Sequence, residues 1–470
     1  WKNPGDIFFQ GYFPVDYSFN NERIVSIDAE NDTFQLTDKI YGQKPVRFSN
    51  VMEEIELPGE YSIDSQTGML YVYPTEDFDH AKLMISQTNV RMIHVCGGSY
   101  LTFRGLTFEG CRCDMMLLEG DDIIVDGCTI QACGAMGIRT KGYNIRIINN
   151  EIRYLGGTGV SLHGGDARRM IASNTVADNN HIHHFAQRSG TYSPAIYCSD
   201  FIECGFRISH NEIHDSIHNG LLLAAGDTVC EYNKIYNVCT EAVDAGAIYL
   251  GRWEVQNLVI RYNYLFDCYN RFGFGGPNGI YVDDGGSGKI CYGNIMVNVG
   301  GNGYLLGGGN NNEVYNNIFV DCGRPITYDQ RQYYGGWEED WAYFPEGADW
   351  KFLFVHPGFK SRAWVHRYPR MTLMKTTRVR NEQDPYRAGA VANAIYRSNV
   401  EVNNEYEDQI DPATDQFIIR RDNMVYRCCE DVGFVDWRNC DFHLRPDSRV
   451  FYDIPSFVMP PIDEMGRRQK

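Results

Sequence analysis

Two short apolar segments in the middle of the chain repeat one pattern. They are Gly246-Ala-Ile-Tyr-Leu-Gly-Arg252, which follows Asp244, and Asn278-Gly-Ile-Tyr-Val-Asp-Asp284. Each segment alternates like a β-strand and has a carboxylate at one end. The repetition predicts how the chain folds, and the carboxylates indicate where to look for chemistry.

The same unit recurs from about residue 99 with a period near 22 residues. Successive anchor positions are separated by 23, 22, 30, 31, 22, 30, 31 and 23 residues. The anchors open short strands and are mostly asparagine: Gly105, Cys128, Asn150, Asn180, Asn211, Asn233, Asn263, Asn294 and Asn317. A period of this length without helical periodicity is typical of a solenoid. We therefore predict an all-β fold, a right-handed parallel β-helix whose successive coils stack about 4.8 Å apart.

Two columns of equivalent residues follow from this alignment. The anchor asparagines are expected at a turn, where asparagine tolerates left-handed backbone and can pass side-chain hydrogen bonds from coil to coil. Five residues later lies a mostly apolar column that includes Cys133, Cys268 and Cys322. The fifteen cysteines form no C-x-x-C pair. Buried thiols are therefore favoured over a disulfide framework, which is the alternative for an exported protein.

The second strand of each coil separates two sets of side chains. The inward set is predicted to be Val160, Leu162, Ile196, Cys198, Leu221, Leu223, Ile248, Leu250, Ile280 and Val282. The outward set includes His163, Tyr197, Tyr249 and Tyr281. Outward tyrosines on adjacent coils would form either a floor on which sugar rings stack or an aromatic ladder that shields the sheet.

Lengthened loops are predicted at one edge of this sheet. The distance from anchor to strand is nine residues in some coils and 14 to 16 in others. Loops on a rigid array often carry function. Arg188, Arg252 and Arg271 lie in or near these loops. They are expected to bind a substrate carboxylate or hydroxyl groups, or else to form surface salt bridges.

Four regions are predicted along the chain. Residues 1–95 form a β-rich module with a hairpin turning at Thr67–Gly68, and this module is expected to cap the solenoid. Residues 96–328 form the coils. Residues 329–392 are an aromatic-rich insertion, with Trp337, that packs over the sheet face, and residues 393–470 hold the final coils and a tail.

The net charge of −18 at pH 7 argues against nucleic acid as a partner. No run of 18 apolar residues is present, so no membrane span is predicted. The glycine-rich run from Gly307 lacks the lysine of a phosphate loop, and no cofactor is expected. Because the sequence begins at Trp1 rather than at a methionine, a removed leader is compatible with it, and we expect a secreted or periplasmic protein. The sequence does not set the oligomeric state.

Asp244, Asp283 and Asp284 are the candidate catalytic residues. Hydrolysis of a glycosidic bond takes two carboxylates, one of which protonates the leaving oxygen. If the strands ran straight, Asp244 and Asp283 would lie about seven positions apart, which is over about 20 Å. They can act together only if the loop before Ala245 folds back over the sheet. Otherwise these aspartates are ordinary turn residues.

Histidines form a second group of candidates. His181, His183 and His184 have a spacing compatible with zinc, but a stacked histidine pair on a sheet face, with His214 on the next coil, explains them adequately. We therefore expect no metal. His163, outward on the sheet that carries the aspartates, is predicted to touch the substrate.

Several segments resemble known proteins. They are Pro58-Gly-Glu-Tyr-Ser-Ile-Asp64, Tyr100-Leu-Thr-Phe-Arg-Gly-Leu-Thr-Phe-Glu-Gly110, Asn179-Asn-His-Ile-His183, and the two segments around Asp244 and Asp283. From about residue 4 to 370 the chain resembles bacterial pectin-lyase-like β-helix proteins, in particular glycoside hydrolase family 141, which includes α-L-fucosidases and xylanases. The resemblance implies an aspartate pair, Asp244 with Asp283 or Asp284. Val243 departs from the pattern, because relatives often have a second aspartate there.

The expected function is hydrolysis of a plant or algal polysaccharide or oligosaccharide by this aspartate pair. The residues expected to hold the substrate are His163, Arg188, Tyr197, Tyr249, Arg252, Arg271, Tyr281 and Trp337. One alternative is a polysaccharide lyase or uronate epimerase, in which the arginines would neutralise a substrate carboxylate. The other is a glycan-binding or adhesion protein without catalysis.

Overall fold

The computed structural model describes residues 1–470 except 14, 16, 39–44, 81–82, 199–201, 252–255, 274, 284, 330–360, 370–390, 392 and 469–470. The chain forms two compact units. One comprises residues 1–87 with 189–191, and the other comprises residues 88–188 with 192–470.

The first unit contains an antiparallel sheet and a separate hairpin. The sheet strands are Phe8–Tyr12, Phe19–Asp28, Thr33–Leu36 and Val46–Ser49. The predicted hairpin is present and pairs Tyr61–Asp64 with Met69–Val72. Short 3₁₀ helices lie at Pro4–Asp6 and Met52–Glu54, and the core is built on Ile7, Ile24 and Val51. That this unit caps the solenoid stays a prediction.

The second unit is a right-handed parallel β-helix. Among the described residues it has three parallel sheets of eleven strands each, and every coil adds one strand to each sheet in turn. The strands of the first sheet are Ile93–Cys96, Met116–Glu119, Ile138–Lys141, Val160–Ser161, Ile196–Cys198, Leu221–Leu223, Gly246–Leu250, Asn278–Val282, Asn302–Gly307, Arg324–Asp329 and Gln409–Ile410. The strands of the second sheet are Thr102–Arg104, Ile124–Asp126, Arg146–Ile148, Thr175–Asp178, Phe206–Ser209, Val229–Glu231, Leu258–Arg261, Lys289–Tyr292, Glu313–Tyr315, Ala394–Arg397 and Ile418–Arg421. The strands of the third sheet are Thr107–Cys111, Thr129–Cys133, Glu151–Leu155, His181–His183, Glu212–His214, Lys234–Tyr236, Tyr264–Cys268, Ile295–Val299, Ile318–Val320, Val400–Val402 and Met424–Tyr426.

The interior of the β-helix is filled by the predicted inward residues. Val160, Ile196, Leu221, Ile248 and Ile280 are paired from coil to coil in the first sheet, and each is fully buried. The cysteines of the apolar column, Cys133, Cys268 and Cys322, are also buried, and all fifteen cysteines are free thiols. The alternation in the sequence is therefore the alternation of a packed core.

The anchor asparagines form a buried hydrogen-bonded ladder. The side-chain oxygen of Asn233 accepts hydrogen bonds from both the backbone N–H (3.0 Å) and the Nδ2 group (2.9 Å) of Asn211, one coil earlier. The same pattern joins Asn150 to Asn180 and continues to Asn423. The ladder confirms the predicted role, but the left-handed backbone lies one residue earlier, as at Asn149 and His210. The anchor itself opens the strand and is buried, whereas the preceding residue makes the turn.

The C-terminal segment covers part of the outer face of the third sheet. It contains the helices Cys429–Val432 and Val450–Asp453, the 3₁₀ helices Trp437–Asn439 and Ile462–Glu464, and the antiparallel pair Phe434–Asp436 and Asp441–Leu444. The helix Pro412–Asp415 lies earlier, within the last coil between its first-sheet and second-sheet strands. The apolar side chains of the C-terminal segment pack on the outward residues Ile295, Ile318 and Val400. The outer face is apolar where this segment covers it.

A buried acid lies in the last coils. Glu401 is 4% exposed and accepts a hydrogen bond from the Tyr396 hydroxyl at 2.5 Å. Burial raises the pKa of Glu401 to about 7, even though the hydrogen bond from Tyr396 lowers it.

One helix of the insertion lies among the described residues, at Arg362–Arg367, and Ser361 caps it. Its Trp364 is buried and donates a hydrogen bond to the backbone oxygen of Ala167. The neighbouring Tyr368 donates to Asp227 at 2.6 Å. These contacts are with turns between the first and second sheets. Trp337 lies outside the described residues, and no described helix has the length and apolarity to cross a membrane.

Candidate functional site

Asp244 and Asp283 meet at the hydroxyl group of Tyr281. Asp244 precedes the strand Gly246–Leu250, and Asp283 follows the next strand of the sheet, Asn278–Val282. The Tyr281 hydroxyl lies 2.9 Å from Oδ1 of Asp244 and 3.1 Å from Oδ1 of Asp283. Because both distances share one oxygen atom, the two carboxylate oxygens lie no more than about 6 Å apart. The fold-back that the pairing requires is therefore present.

The two carboxylates differ in exposure. Asp283 is 7% exposed, whereas Asp244 is exposed to solvent. Asp283 also accepts a hydrogen bond at Oδ2 from the hydroxyl of Tyr249, which pairs with Tyr281 across the two strands. Burial, together with the Asp283 charge, raises the pKa of Tyr249, so this hydroxyl stays protonated and donates. Such contacts offset the cost of burying a carboxylate.

A glycine makes room for the bridging tyrosine. A Cβ atom on Gly246 would lie 2.9 Å from the Cβ of Tyr281, which is closer than side-chain atoms approach one another. The backbone N–H of Gly246 donates to Asn219 Oδ1 at 3.1 Å, and this contact holds the start of the strand. The Gly-Ala-Ile-Tyr sequence thus places a residue without a side chain, Gly246, beside Tyr281, the residue whose hydroxyl joins the acids.

The tyrosine rings do not form an open floor. Tyr281 is fully buried and Tyr249 is 6% exposed, and both pack with Leu222 and Leu305. The expectation that Tyr249 and Tyr281 stack on a sugar does not fit this burial, because their rings pack against Leu222 and Leu305 instead of forming an open face. Their hydroxyl groups, rather than their rings, point to the carboxylates. Tyr197 is partly buried at the border of this cluster.

His163 is held by a polar chain that sequence reasoning missed. Its Nε2 lies 2.8 Å from the Ser161 hydroxyl, and its Nδ1 lies 3.0 Å from Oε1 of Glu203. Glu203 is 8% exposed and comes from the next coil. His163 and Asp283 occupy equivalent positions four coils apart on the first sheet, which is about 19 Å. His163 therefore lies on the same surface but not beside the acids.

The predicted arginines are only partly placed. Arg271 forms a salt bridge with the buried carboxylate of Glu241. This contact matches the salt-bridge alternative for Arg271 and not a guanidinium held ready for substrate. Arg188 is exposed in its loop. Arg252 and Asp284 lie outside the described residues, as Trp337 does.

Two groups of described residues have the donor types for a metal ion. They are Glu151 with His181 and His183, and His94 with Cys96 and Glu119. Neither group includes Asp244 or Asp283, and both lie in other coils. The aspartate pair is thus a site of carboxylates and tyrosine hydroxyls.

Comparisons with known proteins agree with the fold. A family profile described as "Right handed beta helix region" matches residues 76–201. A solved structure titled "Glycoside hydrolase" is 14% identical, with a TM-score of 0.52 over 68% of this chain and 68% of that chain. Pectate lyase Pel9A (13% identity, 52% of this chain and 65% of that chain, TM-score 0.36) and a PL6 family alginate lyase (12% identity, 81% and 56%, TM-score 0.39) are also similar. No curated protein sequence matches the chain. At these identities the similarity establishes the β-helix fold, and membership of glycoside hydrolase family 141 stays a prediction.

Proposed function

We propose that the protein is a glycoside hydrolase that cleaves a polysaccharide or oligosaccharide with Asp244 and Asp283. The observation that carries this proposal is the pair of carboxylates bridged by one tyrosine hydroxyl. Two carboxylates at this distance are the chemical requirement for glycosidic hydrolysis. The solved structure with the TM-score of 0.52 also has a title that names a glycoside hydrolase.

The surroundings of each aspartate suggest its role. Asp283 is buried and accepts hydrogen bonds from the hydroxyls of Tyr249 and Tyr281, which hold it in one orientation, and we assign it the role of nucleophile. Asp244 is exposed, so an incoming substrate can approach it, and we assign it the role of general acid. In the resting site the Tyr281 hydroxyl lies between the two carboxylates and is within hydrogen-bond distance of both. Bound substrate takes the Asp244 proton at the glycosidic oxygen.

The separation of the carboxylates favours retention of anomeric configuration. The upper bound of about 6 Å between the two oxygens lies below the roughly 6.5 to 9.5 Å that inverting enzymes use to fit a water molecule. Asp283 then attacks the anomeric carbon while Asp244 protonates the leaving oxygen. Water afterwards releases the sugar from Asp283, and Asp244 takes the water proton.

The substrate is proposed to be a chain rather than a single sugar. His163 lies about 19 Å from the acids along the same sheet surface, so a substrate that touches both must extend over several coils. Tyr197, partly buried at a ring distance of 6.1 Å from His163, lines the same stretch. A plant or algal polysaccharide met outside the cytoplasm, in a secreted or periplasmic setting, fits such a surface.

The test is hydrolysis of a panel of neutral and acidic polysaccharides. The rate is measured as the release of new reducing ends. We expect Asp244→Asn and Asp283→Asn to lower kcat by about 10²- to 10⁴-fold with unchanged circular dichroism. The matched control is Asp447→Asn, because Asp447 is 86% exposed and far along the chain in the C-terminal segment. Full activity of Asp283→Asn would exclude the proposed site. A product that contains an unsaturated uronate would instead identify a lyase, and binding without turnover by the wild type would identify a glycan-binding protein.

A further inference from the structure

A cluster of histidines and acids lies on the outer face of the third sheet. We call Glu151, His181, His183, His214 and Asp215 the histidine cluster. Three adjacent strands supply it, because Glu151 pairs with His181 and His183 pairs with His214 in the parallel register. Ile182 points into the core, so both neighbouring histidines face outward. The C-terminal segment covers this sheet several coils later, and there the outward residues are apolar.

Three residues of the cluster bring possible metal-ligand atoms close together. Oε2 of Glu151 lies 2.9 Å from Nδ1 of His181, and Oε1 lies 2.8 Å from Nε2 of His183. The ligand atoms of these three residues all lie within 4.8 Å of one another. We propose that Glu151, His181 and His183 bind a divalent transition-metal ion, with zinc as the best match. This site is separate from the aspartate pair and does not depend on the proposed hydrolase activity.

The geometry suits zinc after a small adjustment. Zinc lies about 2.0 to 2.2 Å from imidazole nitrogen and carboxylate oxygen, so neighbouring donors of a tetrahedral site are about 3.3 Å apart. The observed separations of 2.8 and 2.9 Å need to widen by only about 0.5 Å. Two imidazoles and one carboxylate leave a fourth position for water or another ligand. The side chain of His183 is 9% exposed and that of His181 is 22% exposed, so the site is shielded yet reachable from solvent.

The outer hydrogen bonds also fit a bound cation. Nε2 of His181 lies 2.8 Å from Nε2 of His214, whose Nδ1 lies 2.8 Å from Oδ2 of Asp215. With a metal on Nδ1 of His181, its Nε2–H donates to His214, and the Nδ1–H of His214 donates to Asp215. Partners of this kind orient metal-bound histidines.

Ring stacking does not compete with the proposed metal. His183 and His214 stack with centroids 4.9 Å apart and planes 4° apart, and His214 stacks on Tyr236 at 4.7 Å. A metal binds in the plane of an imidazole, whereas stacking uses its face. The histidine ladder expected from the sequence is therefore present, and it fixes the rings in the orientation that the metal needs.

The proposal is tested by titrating chelator-treated protein with Zn²⁺ and Co²⁺. We expect the wild-type protein to bind one metal ion per chain at this site. Glu151→Gln and the double variant His181→Ala/His183→Ala should not bind this ion. We expect Asp215→Asn to bind this ion about 10- to 100-fold more weakly. His94→Ala is the matched control, since it disrupts the second group of metal-capable residues, and it should keep the ion. Circular dichroism checks that each variant is folded, and Glu151→Gln preserves side-chain shape.

Cobalt reports the ligand type independently of stoichiometry. A cobalt spectrum with d–d bands and no thiolate charge transfer is expected, because the proposed ligands are nitrogen and oxygen. The proposal is overturned if Glu151→Gln and the double histidine variant bind zinc as the wild type does. It is also overturned if the cobalt spectrum shows thiolate ligation, which would assign the metal to the free cysteines, or if the wild type binds no metal.

Discussion

Replacing Tyr281 with phenylalanine isolates the group that joins the two acids. The ring stays in place among Leu222, Tyr249 and Leu305, so the packing of the sheet is retained. Only the hydroxyl, which lies 2.9 Å from Asp244 and 3.1 Å from Asp283, is removed. The substitution therefore tests whether the aspartates work as one unit.

The expected size of the effect follows from the hydrogen bonds that are lost. A hydrogen bond to a charged group contributes about 1.5 to 3 kcal/mol. If that stabilisation is felt in the transition state, kcat/KM of Tyr281→Phe falls about 10- to 150-fold. Tyr249→Phe should cause a loss of similar size, because it removes the other hydroxyl from Asp283 but leaves Asp244 untouched.

The two variants are separated by a double-mutant cycle with Asp244→Asn. If the Tyr281 hydroxyl couples the acids, Tyr281→Phe adds little to the loss already caused by Asp244→Asn. Tyr249→Phe, which contacts only Asp283 of the pair, should add closer to its full effect. Initial rates of reducing-end release on the best polysaccharide provide the measurement. Unchanged kcat/KM for Tyr281→Phe, or full additivity with Asp244→Asn, would refute the bridging role.

Three further substitutions test other parts of the structure. Gly246→Ala should destabilise the fold by about 1 to 3 kcal/mol in thermal unfolding and also lower activity, since its Cβ would lie 2.9 Å from the Cβ of Tyr281. Gly5→Ala, with open space around it, should do neither. Glu401 has a pKa of about 7 in the folded protein, above the ordinary 4.5, so the folded state holds a proton that the unfolded state releases. Relative to Glu401→Gln, the free energy of unfolding of the wild type should therefore be highest below pH 4.5 and fall by about 3 kcal/mol as the pH rises through 7. Asn233→Ala should lower the free energy of unfolding by about 3 kcal/mol or more in urea titrations, because it leaves buried donors in the neighbouring coil unpaired, while the exposed Asn439→Ala should change it little.

The architecture could be predicted from sequence because the same pattern of inward apolar residues repeats in every coil. Each coil must place apolar residues inward at equivalent positions, so the alternation at Val160, Ile196 and Ile280 appears in the sequence as well as in the core. The buried asparagine ladder was predictable for the same reason, because one hydrogen-bonding solution is used in every coil. The left-handed residue before each anchor was misplaced by one position, since His210, Tyr232 and Tyr262 adopt it without being turn-formers.

The candidate site was less predictable because it depends on a single non-repeating contact. Spacing indicated that the loop before Ala245 was long enough to fold back, but no pattern marked Tyr281 as the side chain that Asp244 would meet. The outward tyrosines were expected to form either a sugar-stacking floor or an aromatic ladder, and the rings of Tyr249 and Tyr281 are buried against apolar side chains. Glu203 gave no signal, since it follows a different strand and reaches His163 only through the stacking of coils.

The burial of Asp283 supports the proposed catalytic role over a role in sugar binding alone. An aspartate that only binds sugar hydroxyls gains from exposure, because hydration keeps it charged without support. Asp283 is instead 7% exposed and depends on two tyrosine hydroxyls from two adjacent strands, an arrangement with a desolvation cost of several kcal/mol. Asp244 is left exposed beside it, on the far side of the shared hydroxyl. One acid held in place by two hydroxyls, beside a second that a ligand can reach, is the asymmetry that the proposed nucleophile and acid roles require.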